Sequence, residues 1–258
     1  MTMAQTSFAD DDRVYSIQVV NEFSHDPSAF TQFWPSLSES SFDYALTEGL
    51  LYEGNNTLFE STGLNGHSSV RKVNLQTAEI EALHKMNDSE FGEGLTLLGD
   101  RLYQLTWMQK TGFIYDKHNL SKFETFSHNM DDGWGFATDG KVLFGSDGSS
   151  SLYQIDPQTM KVIAEKVIRF NDHEVHNLNE LEYINNEVWA NIWLSDCIVR
   201  ISPTDGNVTG WIVLPELRLA DQIFYIFSFF RKGLIEAGYN IDVLNGIAWD
   251  ADNKRIFG

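Results

Sequence analysis

One short block of sequence recurs along the 258-residue chain. Each copy is an apolar stretch, a turn of Gly, Asn or Asp, and a second apolar stretch, which is typical of two strands joined by a tight hairpin. The copies begin at residues 49, 94, 135, 180 and 246. The first four are 41 to 45 residues apart, with about four short strands in each period. This pattern predicts an all-β, five-bladed β-propeller.

The fifth copy differs from the others. It starts 66 residues after the fourth and contains one hairpin before Gly258. We therefore expect the last blade to be truncated, with a strand at Val14–Phe23 supplying its outer edge and closing the ring. A single propeller domain would span 14–258, and the polar segment 1–13 would be a disordered tail. The stretches 33–46 and 219–232 fit no blade and interrupt the repeat pattern.

Composition excludes several classes of function. The chain has 37 acidic and 18 basic residues and a net charge of -19, which disfavours nucleic acids and anionic membranes as partners. The longest apolar run, Ile223–Phe230, is far shorter than the roughly 18 residues that a membrane span needs. Cys197 is the single cysteine, so an intrachain disulfide or a Cys-based zinc site is excluded. No signal peptide is visible at the N-terminus.

The repeats also predict a binding site. The inner strand of each blade lines the central channel of a propeller, so one matching position per blade forms a ring at the channel mouth. The residue before each repeat start supplies two carboxylates, two amides and an indole: Glu48, Glu93, Trp134, Asn179 and Asn245. Thirteen residues after the start, where the hairpin returns to the same edge, lie Trp107 and Trp193. An aromatic pocket with a few polar groups is the default form of a ligand site.

Each of these residues, taken alone, can also be explained by a purely structural role. Polar groups that line a channel can hold ordered water, and tryptophans can pack between blades. Because independent blades supply complementary groups to one mouth, we favour a site for the set as a whole.

Several motifs resemble one family. They are Glu60–Leu64 (ESTGL), Phe91–Thr96 (FGEGLT), Asp132–Gly135 (DGWG), Asn179–Tyr183 (NELEY), Trp189–Trp193 (WANIW) and Leu244–Trp249 (LNGIAW). In this order they resemble the plant and bacterial type glutaminyl cyclases, from about residue 49 to residue 257.

The resemblance implies a five-bladed propeller with glutaminyl-peptide cyclotransferase activity, an acyltransferase reaction that needs no metal or other cofactor. The substrates would be peptides or proteins with an N-terminal Gln. Glu93 matches the catalytic Glu of the family and Asn179 its Asn, while Trp107, Trp134 and Trp193 match the aromatic residues around the substrate. Glu48 and Asn245 join the substrate-binding group. We further expect a monomer, and the resemblance implies the secretory pathway or an extracytoplasmic location.

The sequence departs from the family pattern in two places. Glu48 stands where the family has Gln, and the chain ends at Gly258, before a TGKxWPK-like strand whose first Lys is implicated in the site. Two alternatives therefore stay open. One is a calcium-dependent, lactonase-like propeller hydrolase with Glu48, Glu93, Asn179 and Asn245 as oxygen ligands. The other is a propeller that is catalytically impaired because its C-terminal strands are missing.

Overall fold

The computed structural model describes residues 2–8, 13–23, 46–213 and 245–257. The stretches 33–46 and 219–232, which fit no blade, lie outside these residues apart from Leu46. All regular structure in the described residues is β-strand. None of these residues belongs to a helix that is long and apolar enough to cross a membrane.

Three four-stranded antiparallel sheets follow one another along the chain. The N-terminal strands β1 (Thr2–Phe8) and β2 (Val14–Glu22) precede them. The first sheet contains β3 (Leu46–Gly54), β4 (Thr57–Gly63), β5 (Ser69–Asn74) and β6 (Ile80–Lys85). The second contains β7 (Gly92–Leu98), β8 (Arg101–Thr106), β9 (Thr111–Asp116) and β10 (Asn119–Ser127). The third contains β11 (Phe136–Thr138), β12 (Leu143–Gly145), β13 (Ser151–Asp156) and β14 (Lys161–Val167).

A small ribbon and a larger sheet complete the described strands. The ribbon pairs β15 (Arg169–Phe170) with β16 (His173–Glu174). Next come β17 (Leu178–Ile184), β18 (Glu187–Ile192), β19 (Cys197–Ile201) and β20 (Val208–Val213), and then β21 (Ala248–Asp250) and β22 (Arg255–Phe257). The last sheet has eight strands in the order β17-β18-β19-β20-β2-β1-β22-β21.

The hairpin turns explain why the strands lie where the repeats predict. Asn55–Asn56 and Asn185–Asn186 each form a two-residue connection, between β3 and β4 and between β17 and β18. All four asparagines have positive φ, between 49° and 66°. Asparagine tolerates this left-handed conformation, which a tight hairpin of matching twist requires.

The repeat count is only partly correct. The propeller class is confirmed, but the described residues form four blades of consecutive strands rather than five. Among these residues the fifth repeat supplies the hairpin β21–β22, and its sheet continues into the N-terminal strands. Strand β1 pairs with β22, and β2 pairs in parallel with β20.

The N-terminal segment also differs from the sequence interpretation. Strand β1 lies within 1–13, where a disordered tail is predicted. Its pairing with β2 runs from Thr2 to Phe8. These backbone hydrogen bonds give an otherwise polar segment a place inside the eight-stranded sheet, between β2 and β22.

The described residues form five apolar clusters, of which four lie between neighbouring sheets and one joins two parts of the eight-stranded sheet. The cluster between the first and second sheets centres on Phe59, and that between the second and third on Phe136. Phe257 packs with residues of the first sheet. Each of these rings is fully buried, and burying a side chain of this size stabilises the fold by about 1.5–3 kcal/mol. The inner strands β3, β7, β11, β17 and β21 contact one another in that order, and β21 also contacts β3.

Candidate active site

Irregularities of the inner strands direct the polar residues of the mouth. In β3, β7 and β17 the pairing register shifts near the first residues of the strand. The shifts fall between Thr47 and Gly49, between Gly92 and Leu95, and between Leu178 and Leu181. These intervals contain Glu48, Glu93 and Asn179. A bulge leaves a residue outside the regular ladder and re-aims its side chain, which is why bulges recur next to active sites.

Hydrogen bonds between neighbouring blades hold the bulges in place. The Gly94 N–H donates to the carbonyl of Trp134 at 2.7 Å. The Ser146 hydroxyl donates to the carbonyl of Asn179 at 2.7 Å and accepts from the Gly135 N–H at 2.7 Å. Neither glycine has room for a side chain, because a Cβ would collide with the adjacent blade. The mouth is therefore assembled from strands in direct contact.

Glu48 and Asn245 form a hydrogen-bonded pair. The Asn245 amide nitrogen donates to a Glu48 carboxyl oxygen. The amide oxygen accepts from the Gly246 N–H at 3.1 Å, which fixes the orientation of the amide. Burial raises the pKa of Glu48 to about 8, although the hydrogen bond from Asn245 opposes this shift.

Glu93 is the most strongly perturbed of the predicted site residues. Its side chain is buried, and this burial is the largest cause that raises its pKa well above the ordinary value. The negative charges of Glu48, Glu180 and Asp132 raise it further. A carboxyl group in such surroundings holds a proton near neutral pH and can exchange it with a bound substrate.

Glu180 belongs to the same group, and the sequence interpretation missed it. It is fully buried, and its Oε1 accepts from the Leu181 N–H at 3.0 Å. Its Oε2 has no hydrogen-bond partner among the described residues, and would lie 3.0 Å from a Cβ at Gly49. The side chain thus reaches from the fourth blade to the first, and burial raises its pKa well above the ordinary value. Its position directly after Asn179, in the same bulge, is the signal that could have identified it.

Two aromatic pairs, Trp107 with Phe91 and Trp134 with Trp193, lie where the sequence predicts the walls of the mouth. Trp134 and Trp193 pack edge to face with ring centroids 5.6 Å apart, and Trp107 packs edge-on against Phe91 at 5.3 Å. Trp107 is 39% exposed and Trp193 is 36% exposed. Large rings that remain half open to solvent at a channel mouth can cover a ligand.

Gly148 forms the surface on which Trp134 rests. It has a φ of +78°, and a Cβ there would lie 2.6 Å from the Trp134 ring. The position thus requires glycine for its backbone conformation and for the space that the indole occupies.

The structure therefore brings the predicted residues together in smaller groups. Glu48 contacts Asn245, Trp134 contacts Trp193, and Glu93 lies close enough to Glu48 for their charges to interact. The other two residues flank these groups: Asn179 is held by Ser146, and Trp107 lies against Phe91.

Comparisons with known proteins show the family of the chain. A family model described as glutamine cyclotransferase matches residues 37–258. The chain belongs to the glutamine cyclotransferase family. It is 57% identical over 246 residues to a glutaminyl-peptide cyclotransferase of Arabidopsis thaliana, which covers 95% of this chain and 68% of the relative. The crystal structure of Myxococcus xanthus glutaminyl cyclase is similar with a TM-score of 0.72 and 28% identity, over 95% of this chain and 91% of that one.

These matches confirm the resemblance that the motifs indicate. They favour a cyclotransferase over the calcium-dependent hydrolase, because one relative is named a glutaminyl-peptide cyclotransferase and the other a glutaminyl cyclase.

Proposed function

We propose that this protein is a glutaminyl-peptide cyclotransferase that converts N-terminal glutaminyl residues of peptides to pyroglutamyl residues and releases ammonia. The observation that carries the proposal is Glu93: a buried carboxyl with a strongly raised pKa, at the channel mouth of a chain that is 57% identical to an enzyme of this name.

The reaction needs one group that both accepts and donates a proton. The α-amine of the substrate attacks the carbon of its own γ-carboxamide, so a C–N bond forms and the amine gives up a proton. The carboxamide nitrogen then takes a proton and leaves as ammonia while its C–N bond breaks. Glu93 is suited to both transfers, because burial raises its pKa well above the ordinary value of a carboxyl group, in the direction of an α-amine.

Asn179 and the tryptophans have complementary roles in this proposal. The amide of Asn179 can hydrogen-bond the oxygen of the carboxamide, on which negative charge develops during the attack. Trp107, Trp134 and Trp193 would enclose the glutaminyl side chain and hold the folded-back conformer that closes a five-membered ring.

The net charge of the chain favours the substrate before the reaction begins. The chain as a whole carries a formal net charge of -19, although burial favours the neutral forms of Glu48, Glu93 and Glu180. A peptide N-terminus arrives as a cation, and the negative field of the whole chain attracts it.

We also infer that the ring is five-bladed, with β21, β22, β1 and β2 as its fifth blade. The contact of β21 with both β17 and β3 supports this arrangement. So does the apolar cluster that joins Phe257 to Leu50 and Leu58 of the first blade.

The activity is tested with a peptide that begins with Gln and a control peptide that differs only by acetylation of the α-amine. We expect ammonia and a pyroglutamyl product from the first peptide alone, because the acetylated amine cannot attack. Absence of ammonia from the free peptide would reject the proposed function.

A further inference from the structure

Asp132, in the segment that precedes β11, accepts three hydrogen bonds at the mouth. Its Oδ1 accepts from the backbone N–H of Met108 at 2.6 Å and from that of Gly133 at 2.8 Å. Its Oδ2 accepts from the indole N–H of Trp134 at 3.1 Å. Both oxygens are engaged, and hydrogen bonds to a charged acceptor are shorter and stronger than those between neutral groups.

These hydrogen bonds connect the two aromatic walls. Met108 directly follows Trp107, so one oxygen of Asp132 fixes the loop that carries the first wall. The other oxygen fixes the ring of Trp134, which packs against Trp193 in the second wall. The carboxylate thus lies between the two walls and holds both.

The Met108 backbone shows why the loop needs this anchor. Its φ is 56°, a left-handed conformation that is uncommon for a residue other than glycine. Its side chain is 74% exposed, so little packing opposes a change of conformation. The hydrogen bond to Asp132 is therefore one of the restraints on this loop, beside those from Trp107 to the Phe91 carbonyl and from Gln109 to the Ser89 carbonyl.

On this basis, and resting on the proposed function, we propose that Asp132 is a positioning residue for the cyclisation. It sets the spacing between Trp107 and Trp134, and hence the width of the mouth that receives the glutaminyl side chain. It acts through the loop at Met108 and through the Trp134 ring, without touching the reacting atoms.

The charge of Asp132 adds a second effect. The acidic groups that face Glu93 are Glu48, Glu180 and Asp132, and each raises the pKa of Glu93. Asp132 itself is faced by His128, whose pKa is lowered by burial and by Lys110, so that His128 remains neutral near pH 7. Removing the Asp132 charge therefore lowers the pKa of Glu93.

The test uses Asp132→Asn, with Asp131→Asn as its matched control. The asparagine can still accept from the two backbone N–H groups, but its amide nitrogen then faces the indole N–H of Trp134, donor against donor. Asp131 is the adjacent carboxylate, with a side chain that is 92% exposed and paired with Lys110. The control thus removes an equal charge outside the walls.

For Asp132→Asn we expect KM to rise about 10-fold to 100-fold, with a smaller change in kcat. We also expect the acidic limb of the kcat/KM profile to move to lower pH. Asp131→Asn should keep both properties of the unmodified enzyme. The proposal would be overturned if Asp132→Asn kept the wild-type KM and the acidic limb of its kcat/KM profile did not move. It would also be overturned if Asp131→Asn changed both properties as much as Asp132→Asn does.

A second variant separates positioning from folding. Trp134→Phe removes the indole N–H and keeps Asp132, so adding Asp132→Asn to it should raise KM less than Asp132→Asn does alone. Strictly additive effects would overturn the positioning role. If Asp132→Asn does not fold, Trp134→Phe alone must raise KM, and an unchanged KM would reject the proposal.

Failure of the proposed function would be recognised separately, because the unmodified protein would then release no ammonia. Tryptophan fluorescence without substrate still tests the positioning role in that event. We expect a shifted emission for Asp132→Asn and none for Asp131→Asn, and identical spectra would reject the role.

Discussion

Glu48→Gln should make the protein markedly more stable at alkaline pH. The Glu48 carboxyl is buried, and burial raises its pKa from 4.5 to about 8. A difference of roughly 3.5 units, at about 1.36 kcal/mol per unit, corresponds to roughly 5 kcal/mol. That is a large part of the roughly 5–15 kcal/mol by which a typical domain is stable.

The sign follows from the protons bound in each state. Below pH 4.5 the carboxyl is neutral in the folded and unfolded chains, so it costs no stability. As pH rises from there to about 8, the unfolded chain loses the proton of Glu48 while the folded chain keeps it. The unfolded state then binds fewer protons, and the free energy of unfolding falls. Glutamine has no proton to lose, and its oxygen can still accept from Asn245.

The assay is urea unfolding followed by tryptophan fluorescence, at about pH 5 and about pH 9, on the wild type and on Glu48→Gln. We expect Glu48→Gln to have the higher free energy of unfolding, and its difference from the wild type to grow by several kcal/mol between about pH 5 and about pH 9. The upper limit of this growth is about 5 kcal/mol. Glu53→Gln, at the exposed end of the same strand β3, is the control and should show no such gain. An advantage that is the same at both pH values would refute the claim that burial keeps Glu48 protonated.

Two further predictions concern single contacts. Gly148→Ala should lower kcat/KM by about tenfold or more, because the new methyl group displaces Trp134 and the backbone is strained, and steady-state kinetics on a Gln-initiated peptide measures this. Arg71→Met should cost about 3–5 kcal/mol in urea unfolding, because it leaves the fully buried Glu60 without the guanidinium that lies 2.9 Å away. Adding Glu60→Gln should recover most of that loss, and a double variant no more stable than Arg71→Met would contradict this explanation.

Local chemistry made much of the fold predictable from sequence. The Asn55–Asn56 and Asn185–Asn186 turns fix hairpins by the conformations that asparagine tolerates, whatever lies elsewhere in the chain. The equal offsets of Trp107 and Trp193 from their repeat starts likewise predicted that two rings from different blades would face the same mouth. These predictions depend only on residues within one repeat.

Features that depend on distant pairing could not be predicted in this way. Strand β1 lies beside β22 although the two are at opposite ends of the sequence, and nothing in the polar composition of β1 indicates that partner. Its place follows from the unpaired edge that β22 presents, since an open edge offers a row of backbone groups for pairing.

The directions of individual side chains could not be predicted from the sequence either. Glu180 follows Asn179 in the sequence, and regular strand alternation would turn the two side chains to opposite faces. The register shift in β17 breaks that alternation and lets Glu180 approach Gly49. Asp132 belongs to the DGWG motif, but its hydrogen bond to Met108 depends on the position of the loop that carries Trp107. Neither geometry can be read from spacing alone.

The central claim is that Glu93 transfers the proton in the cyclisation, and ammonia release by Glu93→Gln tests it most directly. The variant keeps the size of the side chain and removes its ability to exchange a proton. The account predicts that kcat falls by about 10²–10⁴-fold while the affinity for a Gln-initiated peptide changes little. A kcat within about tenfold of the wild type would contradict it, because another group would then have to carry the proton.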